Sequence, residues 1–195
     1  MAETSSDGGE PSQPRLHTAR LSITMPDPDA ADSVLAYLQL NAARFAAGAP
    51  PGAPPTVERV RAALAAARAE HAQQRGVRMY MFRREDLLVP IGDIALSEII
   101  RGPFQACFLG YRLGSDHEGR GFATEAVCAV VAYAFEVLKL HRVMANYEPT
   151  NARSGRVLRR AGFVVEGYAR DYLLLGGAWR DHVLTSISNP NWSQP

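Results

Sequence analysis

The chain has 195 residues, 47% of them apolar, and a formal net charge of +1. This length suits a single folded domain, and the charge gives no reason to expect nucleic acid or an anionic membrane as a partner. The two cysteines, Cys107 and Cys128, lie far apart and form no zinc-binding spacing, so we expect no metal site and a reducing compartment.

The N-terminal stretch from Met1 to Pro14 contains Ser, Gly, Glu and Pro but no apolar run. This composition predicts a disordered tail over residues 1–14 and a folded domain over residues 15–195. No apolar segment approaches the roughly 18–20 residues that a membrane-spanning helix needs. We therefore expect a cytoplasmic protein without a membrane partner.

The first predicted elements are one strand and two helices. Alternating apolar residues over 17–25 predict a half-buried strand. Asp27 followed by Pro28 is typical of a capped helix start, and the apolar spacing extends this helix to about Phe45. Gly, Ala and Pro predict a loop over Ala46–Pro55, after which Thr56 is expected to cap a second helix.

Three short apolar segments follow, and we expect them to form strands over residues 79–82, 88–96 and 104–113. Their connections are too short for crossovers, which predicts an antiparallel meander. Gly92 and Asp93 indicate a β-bulge in the second of these strands.

The pattern then changes to helix and strand in alternation. The expected elements are a helix over 122–138, a strand over 141–147, a helix over 151–161 capped by Asn151, and strands over 163–168 and 180–186 that turn near Gly176. The long helix between strands 104–113 and 141–147 makes these two strands parallel and adjacent. The elements therefore predict an α/β fold with a ligand at the ends of these strands.

A glycine-rich turn, Glu118-Gly119-Arg120-Gly121, joins a predicted strand to the start of the long helix. Its backbone N–H groups lie at the positive end of the helix dipole, which favours an anion such as a pyrophosphate. The turn lacks the third glycine of the dinucleotide fingerprint, since Thr124 stands there, and it lacks a Walker lysine. Taken alone, it is equally compatible with a tight turn before a helix.

The context of this turn resembles the acetyl-CoA loop of the GNAT acetyltransferase superfamily, whose usual form is Gln/Arg-x-x-Gly-x-Gly/Ala. Here Glu118 takes the first position, and we expect its carboxylate to point away from the phosphates. The resemblance implies a GNAT fold with a mixed, mostly antiparallel central sheet, helices on both faces, and acetyl-CoA as cosubstrate without a metal. The implied cofactor-binding residues are Leu113, Gly119, Arg120, Gly121, Phe122, Ala123, Thr124 and Asn151.

Segments 101–111, 141–155, 166–174 and 179–185 resemble the RimJ-type ribosomal-protein alanine N-acetyltransferases. The resemblance covers about residues 16–192 and is weak over 48–76, where the Pro/Ala-rich loop departs from that family. It implies transfer of an acetyl group to the N-terminal alanine of a small-subunit ribosomal protein, S5. A homodimer is a further expectation, since many relatives are dimers, although no dimer seam is visible in the sequence.

The implied reaction is attack of a neutral amine on the thioester. An N-terminal α-amine, with a pKa of about 8, costs about 1–1.5 kcal/mol to neutralise at pH 7, whereas lysine costs more than about 4 kcal/mol. By resemblance to RimL-type enzymes, Glu166 is the candidate base and Ser154 the candidate acid or thiol partner. The alternatives are a surface carboxylate on an edge strand and a serine that bonds its own helix.

Several further assignments stay open in the sequence. Asn151 can cap its helix, contact the pantetheine arm, or both. The arginines of this helix reach the 3′-phosphate of coenzyme A or form a solvated face; they are Arg153, Arg156, Arg159 and Arg160. Three tyrosines are candidates for the acceptor site or for packing: Tyr147, Tyr168 and Tyr172. The rival functions are an acetyltransferase for a small amine, such as a polyamine, amino acid or aminoglycoside, and a non-catalytic acetyl-CoA-binding regulatory module.

Overall fold

A computed structural model describes residues 13–46 and 54–194. Most of the predicted tail over 1–14 and of the predicted loop over 46–55 lies outside these residues. The described chain forms an eight-stranded sheet in the order β1-β2-β3-β4-β5-β6-β8-β7. Its strands are β1 Arg15–His17, β2 Leu21–Thr24, β3 Val77–Arg83, β4 Gly92–Ile100, β5 Ala106–Leu113, β6 Arg142–Tyr147, β7 Val164–Leu175 and β8 Ala178–Ser188.

Five α-helices in the described residues cover the two faces of this sheet. They are α1 Ala31–Leu40, α2 Ala42–Ala46, α3 Val57–Ala72, α4 Phe122–Glu136 and α5 Ala152–Arg160. Helices α1–α3 share an apolar cluster with Tyr80 and Phe82 of β3. Helices α4 and α5 pack on the opposite face, where Val127 and Val130 are fully buried. This arrangement confirms the predicted mixed sheet with helices on both faces.

The strand pairings follow the predicted pattern in the part that forms the site. Strands β3, β4 and β5 form an antiparallel meander, and β5 pairs in parallel with β6. The two final strands form a hairpin whose turn contains Gly176 and Gly177, both with left-handed backbone angles. Strand β8 lies between β6 and β7, so β7 forms the edge of the sheet.

The bulge predicted at Gly92 and Asp93 is wrong. Both residues pair in regular register with β3 and β5, and the irregularity of β4 lies between Ser97 and Ile100. Gly92 has a packing role instead: a Cβ there would come within 2.7 Å of the carbonyl oxygen of Arg112. Close approach of two strands, rather than an extra residue, requires this glycine.

The first predicted strand and helix are each divided in two. The strand is split into β1 and β2, which pair with each other. The helix breaks at Asn41, whose side chain donates to the carbonyl of Tyr37 at 2.9 Å and accepts from the backbone N–H of Ser115 at 3.3 Å. Asp27 makes no side-chain cap and instead pairs with Arg68 of α3 at 2.6 Å. These tertiary contacts therefore override the local signals.

Candidate active site

The candidate site lies where β5 and β6 diverge. Their parallel ladder joins Ala106–Phe108 to Arg142–Met144. Beyond it, β5 continues to Leu113 and β6 to Tyr147, with no further pairing between them in the described residues. The backbone polar groups along this opening are available to a ligand, since a strand edge without a partner presents free N–H and C=O groups.

The glycine-rich turn lies at the end of this opening, at the start of α4. Gly119 and Gly121 both have left-handed backbone angles, with φ of 73° and 83°. Gly121 is the N-cap residue, and no side chain among the described residues caps the helix there. The first backbone N–H groups of α4 therefore lack acceptors within the helix and carry its positive dipole end. All the predicted loop residues, from Gly119 to Thr124, lie in this segment.

Contacts with the β1–β2 turn hold this segment in place. The guanidinium of Arg20 donates to Glu125 and to the carbonyl of Arg120, and it lies 4.6 Å from the ring centroid of Phe122. Partial burial acts to raise the pKa of Glu125, but hydrogen bonds from Thr18 and Arg20 outweigh it and leave this pKa below its ordinary value. Glu125 is thus an anion that anchors the helix start.

Glu118 turns toward two arginines from different parts of the fold. Its carboxylate accepts from Arg44 of α2 and from Arg153 of α5, one arginine on each oxygen. Its side chain is 20% exposed, while that of Arg153 is 68% exposed. These contacts therefore compensate the negative charge of the Glu118 carboxylate.

A tyrosine and a serine meet across the opening. The Oη of Tyr111 on β5 lies 2.9 Å from the Oγ of Ser154 on α5. Burial raises the pKa of Tyr111 to about 12, although its hydrogen bond with Ser154 acts in the other direction. The phenol is consequently protonated at neutral pH and can donate to Ser154. The side chain of Asn151 caps α5 by accepting from the N–H of Ser154 at 3.1 Å, which confirms the predicted cap.

Gly155 explains how α5 comes so close to β6. A Cβ at this position would lie 2.9 Å from the ring of Tyr147. The absent side chain lets the tyrosine pack under the first turn of α5. Ser154, the preceding residue, is thereby brought to the open end of β5 and β6.

Glu166 lies on the edge strand β7, in the irregular segment between Val165 and Gly167. Hydrogen bonds from Arg142 and Ser186 hold the pKa of this carboxyl below its ordinary value. Its side chain is 40% exposed. The structure does not bring Glu166 into contact with Ser154: one meets Arg142 at the beginning of β6, and the other meets Tyr111 at the end of β5.

The face of the sheet opposite α4 carries further polar groups. Asn146 donates to the Oη of Tyr172 at 3.2 Å, and the Tyr172 ring lies 5.6 Å from the buried ring of His182. On the same face, Arg112 of β5 pairs with the buried carboxylate of Asp93 at 3.0 Å. These polar side chains therefore lie on the sheet face opposite α4 and α5.

The ion pair between Arg112 of β5 and Asp93 of β4 also anchors helices α1 and α2. Tyr37 of α1 donates to Asp93 at 2.9 Å, and the guanidinium of Arg112 lies 4.5 Å from the ring centroid of Phe45 in α2. Burial, together with the Asp93 charge, raises the pKa of Tyr37 far above its ordinary range. These contacts fix α1 and α2 over the face of the sheet opposite α4.

Sequence reasoning missed Tyr111 as a site residue. The available signal was strand alternation: Leu109, Tyr111 and Leu113 belong to one face of β5, the face that packs against α4 and α5. Leu113 packs there against the core at the end of the strand. Among the described residues, no group of three or more His, Cys, Asp or Glu side chains could hold a metal ion.

Comparisons with known proteins add a family and a fold. A sequence model of the family described as an acetyltransferase (GNAT) domain matches residues 20–164. The [ribosomal protein uS5]-alanine N-acetyltransferase of Escherichia coli (strain K12) is 50% identical over 103 residues, which are 53% of this chain and 53% of that protein. The probable N-acetyltransferase YjcK of Bacillus subtilis (strain 168) is 49% identical over 104 residues, 53% of this chain and 58% of that one. The match thus spans about half the length of these curated relatives.

Solved structures cover the chain more fully. The ribosomal-protein-S5-alanine acetyltransferase from Vibrio fischeri has a TM-score of 0.86 and 30% identity, covering 92% of this chain and 99% of that one. RimJ of Mycobacterium smegmatis, in complex with CoA-disulfide, has a TM-score of 0.82 and 22% identity, covering 93% of this chain and 89% of that one. The second likeness, at this identity, concerns the fold alone.

No helix in the described residues has the length and apolarity needed to cross a bilayer.

Proposed function

Because the chain belongs to the GNAT acetyltransferase family, we propose that it transfers the acetyl group of acetyl-CoA to the N-terminal alanine of a ribosomal protein, S5. The observation that carries the proposal is the uncapped start of α4 beside the opening between β5 and β6. A pyrophosphate fits the first feature, and an extended amide chain fits the second. Coenzyme A contains both groups in sequence.

The cofactor is expected to bind mainly through backbone groups. The N–H groups of residues 119–124 donate hydrogen bonds to the pyrophosphate oxygens, since a helix start without a side-chain cap favours an anion. The pantetheine arm runs along the open edge of β5 as an added strand would, exchanging hydrogen bonds with the backbone. Asn151 and Leu113 lie at the two sides of this route. The acetyl group then reaches the level of Tyr111 and Ser154.

The acetyl transfer needs one proton removed and one supplied. The amine nitrogen attacks the thioester carbonyl, the new C–N bond forms, and the C–S bond breaks as the thiolate leaves. Ser154 donates a hydrogen bond to the departing sulfur, or passes it a proton and takes one back from the positively charged nitrogen of the tetrahedral adduct, so that no charge stays on Ser154. Tyr111 supports Ser154 at 2.9 Å. Tyr111 stays protonated because burial raises its pKa to about 12, so it can donate this supporting hydrogen bond to Ser154.

Glu166 is proposed to take the proton of the acceptor amine. Its lowered pKa keeps it ionised at neutral pH, so it can accept a proton, although it is a weak base. A weak base is adequate for an N-terminal α-amine, which needs only about 1–1.5 kcal/mol to become neutral at pH 7. This requirement favours an N-terminal acceptor over a lysine side chain.

The ribosomal acceptor is supported by the 50% identity with the Escherichia coli uS5-alanine enzyme over 103 residues. That segment is 53% of the chain, so the acceptor assignment extends beyond the matched part. A small-amine acceptor is the rival, and a weaker likeness of 26% identity over 69 residues to the spermidine N(1)-acetyltransferase of Vibrio cholerae accompanies it. The single domain over residues 15–195 is proposed to act in the cytoplasm.

The proposal is tested by following release of free CoA thiol from acetyl-CoA with three kinds of acceptor. These are a peptide with the free N-terminal sequence of ribosomal protein S5, the same peptide N-blocked but containing lysine, and a panel of polyamines and amino acids. Turnover with the first peptide alone is the expected result. Turnover with small amines alone would refute the ribosomal acceptor, and tight CoA binding without any turnover would favour the regulatory module.

A further inference from the structure

The cofactor loop of this protein contains a carboxylate at the position where the family usually has Gln or Arg. A carboxylate next to a pyrophosphate is repulsive unless another charge compensates it. Glu118 has two such compensating partners, Arg44 and Arg153. Their positions in the fold suggest a role that goes beyond neutralisation.

Arg153 reaches Glu118 across the route that we assign to the cofactor. Glu118 immediately precedes Gly119 of the anion site, and Arg153 immediately precedes Ser154 at the other end of the route. An ion pair between them joins the start of α4 to the start of α5. The pantetheine arm has to pass this connection to bring its thioester to Ser154.

Arg44 ties the same carboxylate to the helical layer on the opposite face of the sheet. It lies in α2, whose next residue, Phe45, covers the guanidinium of Arg112. A second tie lies beside it, because Asn41 accepts from the N–H of Ser115 in the same loop. Loop and helical layer are therefore joined at two points.

The charges of this group favour an exchange of partners. One carboxylate faces two guanidinium groups, which leaves the group with an excess positive charge. Arginine binds phosphate at least as well as carboxylate, often through two parallel hydrogen bonds. The side chain of Arg153 is 68% exposed, so it is free to move, while Glu118 is 20% exposed and held on its other oxygen by Arg44.

Resting on the proposed function, we propose that Glu118 is a positioning residue that holds Arg153 as a strap across the cofactor route. Binding of acetyl-CoA transfers Arg153 from Glu118 to a phosphate of the cofactor. Arg44 then keeps the Glu118 carboxylate turned away from the phosphates. The carboxylate thus tunes cofactor affinity through its two arginines and touches no reacting atom.

The test measures the affinity of coenzyme A by titration calorimetry, without any acceptor, together with that of phosphate-free pantetheine by its displacement of CoA. Arg153→Gln should weaken CoA binding about tenfold, because a charge-assisted contact with phosphate is lost. Glu118→Gln should strengthen CoA binding about threefold to tenfold, because the competing carboxylate is removed. Neither change should move pantetheine affinity by more than about twofold.

Combined variants separate the strap from a structural role. Arg44→Gln should weaken CoA binding, because Glu118 is then free to turn to the phosphates, and adding Glu118→Gln should reverse that loss. When Arg153 is already replaced by Gln, Glu118→Gln should strengthen CoA binding by less than it does in the wild-type protein, because there is no longer an Arg153 to release. The matched control is Asp27→Asn, which removes a similar arginine–carboxylate pair with Arg68 away from the site and should leave CoA affinity unchanged.

Three results would overturn the strap. They are weaker or unchanged CoA binding in Glu118→Gln, an equal change in pantetheine affinity, and failure of Glu118→Gln to rescue Arg44→Gln. If thermal unfolding shows that Glu118→Gln does not fold, the test rests on Arg44→Gln. Weaker CoA binding with unchanged pantetheine binding in that variant would support the strap, and unchanged CoA binding would overturn it. A wild-type protein that binds no CoA would refute the proposed function itself, and the strap with it.

Discussion

Removal of one oxygen atom, by Tyr111→Phe, tests the proton supply proposed for the departing thiolate. The phenol lies 2.9 Å from the Oγ of Ser154, and it stays protonated at neutral pH because burial raises its pKa to about 12, so it can donate to that oxygen. A neutral hydrogen bond contributes about 0.5–1.5 kcal/mol, and one to a charged group about 1.5–3 kcal/mol. The contact should strengthen as negative charge develops on the sulfur that Ser154 faces.

The expected loss is the difference between these two states of the hydrogen bond. That difference is about 1–1.5 kcal/mol of lost transition-state stabilisation, which lowers kcat by about fivefold to tenfold, since each 1.36 kcal/mol is a factor of ten. The KM for acetyl-CoA should change less than about threefold, because the ground-state contact is weak. Ser154→Ala should have a similar effect, and the double variant should cost less than the sum of the two, because both residues act on one proton.

The assay is steady-state thiol release with the accepted amine, combined with CoA titration and thermal unfolding. The control is Tyr133→Phe, which removes the hydroxyl of another buried tyrosine on α4, outside the opening. Full kcat in Tyr111→Phe would refute the proton-supply role. A fall in melting temperature that accounts for all the lost activity would also refute this role, since it would show that the contact of Tyr111 with Ser154 only stabilises the fold.

Three further perturbations test other parts of the site. Glu166→Gln should lower kcat/KM at pH 7 by about tenfold or more with CoA affinity intact. The loss should shrink toward pH 9, where the acceptor α-amine is largely neutral. Equal kcat/KM values for the variant and the wild type across the pH–rate profile would exclude Glu166 as the base. Gly155→Ala should place its Cβ 2.9 Å from the Tyr147 ring and cost about 1–3 kcal/mol in urea unfolding, with kcat reduced as well; an unchanged midpoint would mean that the ring moves freely. Partial burial acts to raise the pKa of Glu125, yet its hydrogen bonds to the β1–β2 turn prevail and place it below the ordinary value of 4.5. Its stabilisation is therefore present above that pH and is lost as the pH falls through the lowered pKa. Glu125→Gln should accordingly lower Tm at pH 7, and the gap to wild type should close as the pH is lowered through the acid range; a constant Tm gap would contradict this sign.

Local chemistry in the sequence predicted much of the fold. The caps at Thr56 and Asn151 depend on a side chain and an N–H group three residues away, so they are visible in a short window. The same holds for the glycines that begin α4 and the turn at Gly176. The adjacency of β5 and β6 followed from the length of the connecting helix, because a crossover of that size joins parallel strands.

The lengths and order of the last strands were harder to predict from the sequence. Strand β7 continues to Leu175, well beyond the predicted end at 168, because it pairs along β8 in spite of irregular alternation. The insertion of β8 between β6 and β7 depends on which edge of β6 is free, a property of the assembled sheet. No local pattern specifies such an edge.

In the candidate site, too, some features could be predicted from the sequence and others depend on tertiary packing. Glycine spacing in a single loop, together with the family resemblance, was enough to predict the anion site and acetyl-CoA, because a helix start binds anions through its own backbone. The contact of Tyr111 with Ser154 joins residues 43 positions apart, and Glu118 meets arginines 74 and 35 positions away. The packing of the helices on the sheet determines which of these distant side chains meet. The sequence alone does not specify the partners, because a long side chain could pair with many different residues. The sequence by itself determined which cofactor chemistry the loop can hold, and tertiary packing decided which side chains surround it.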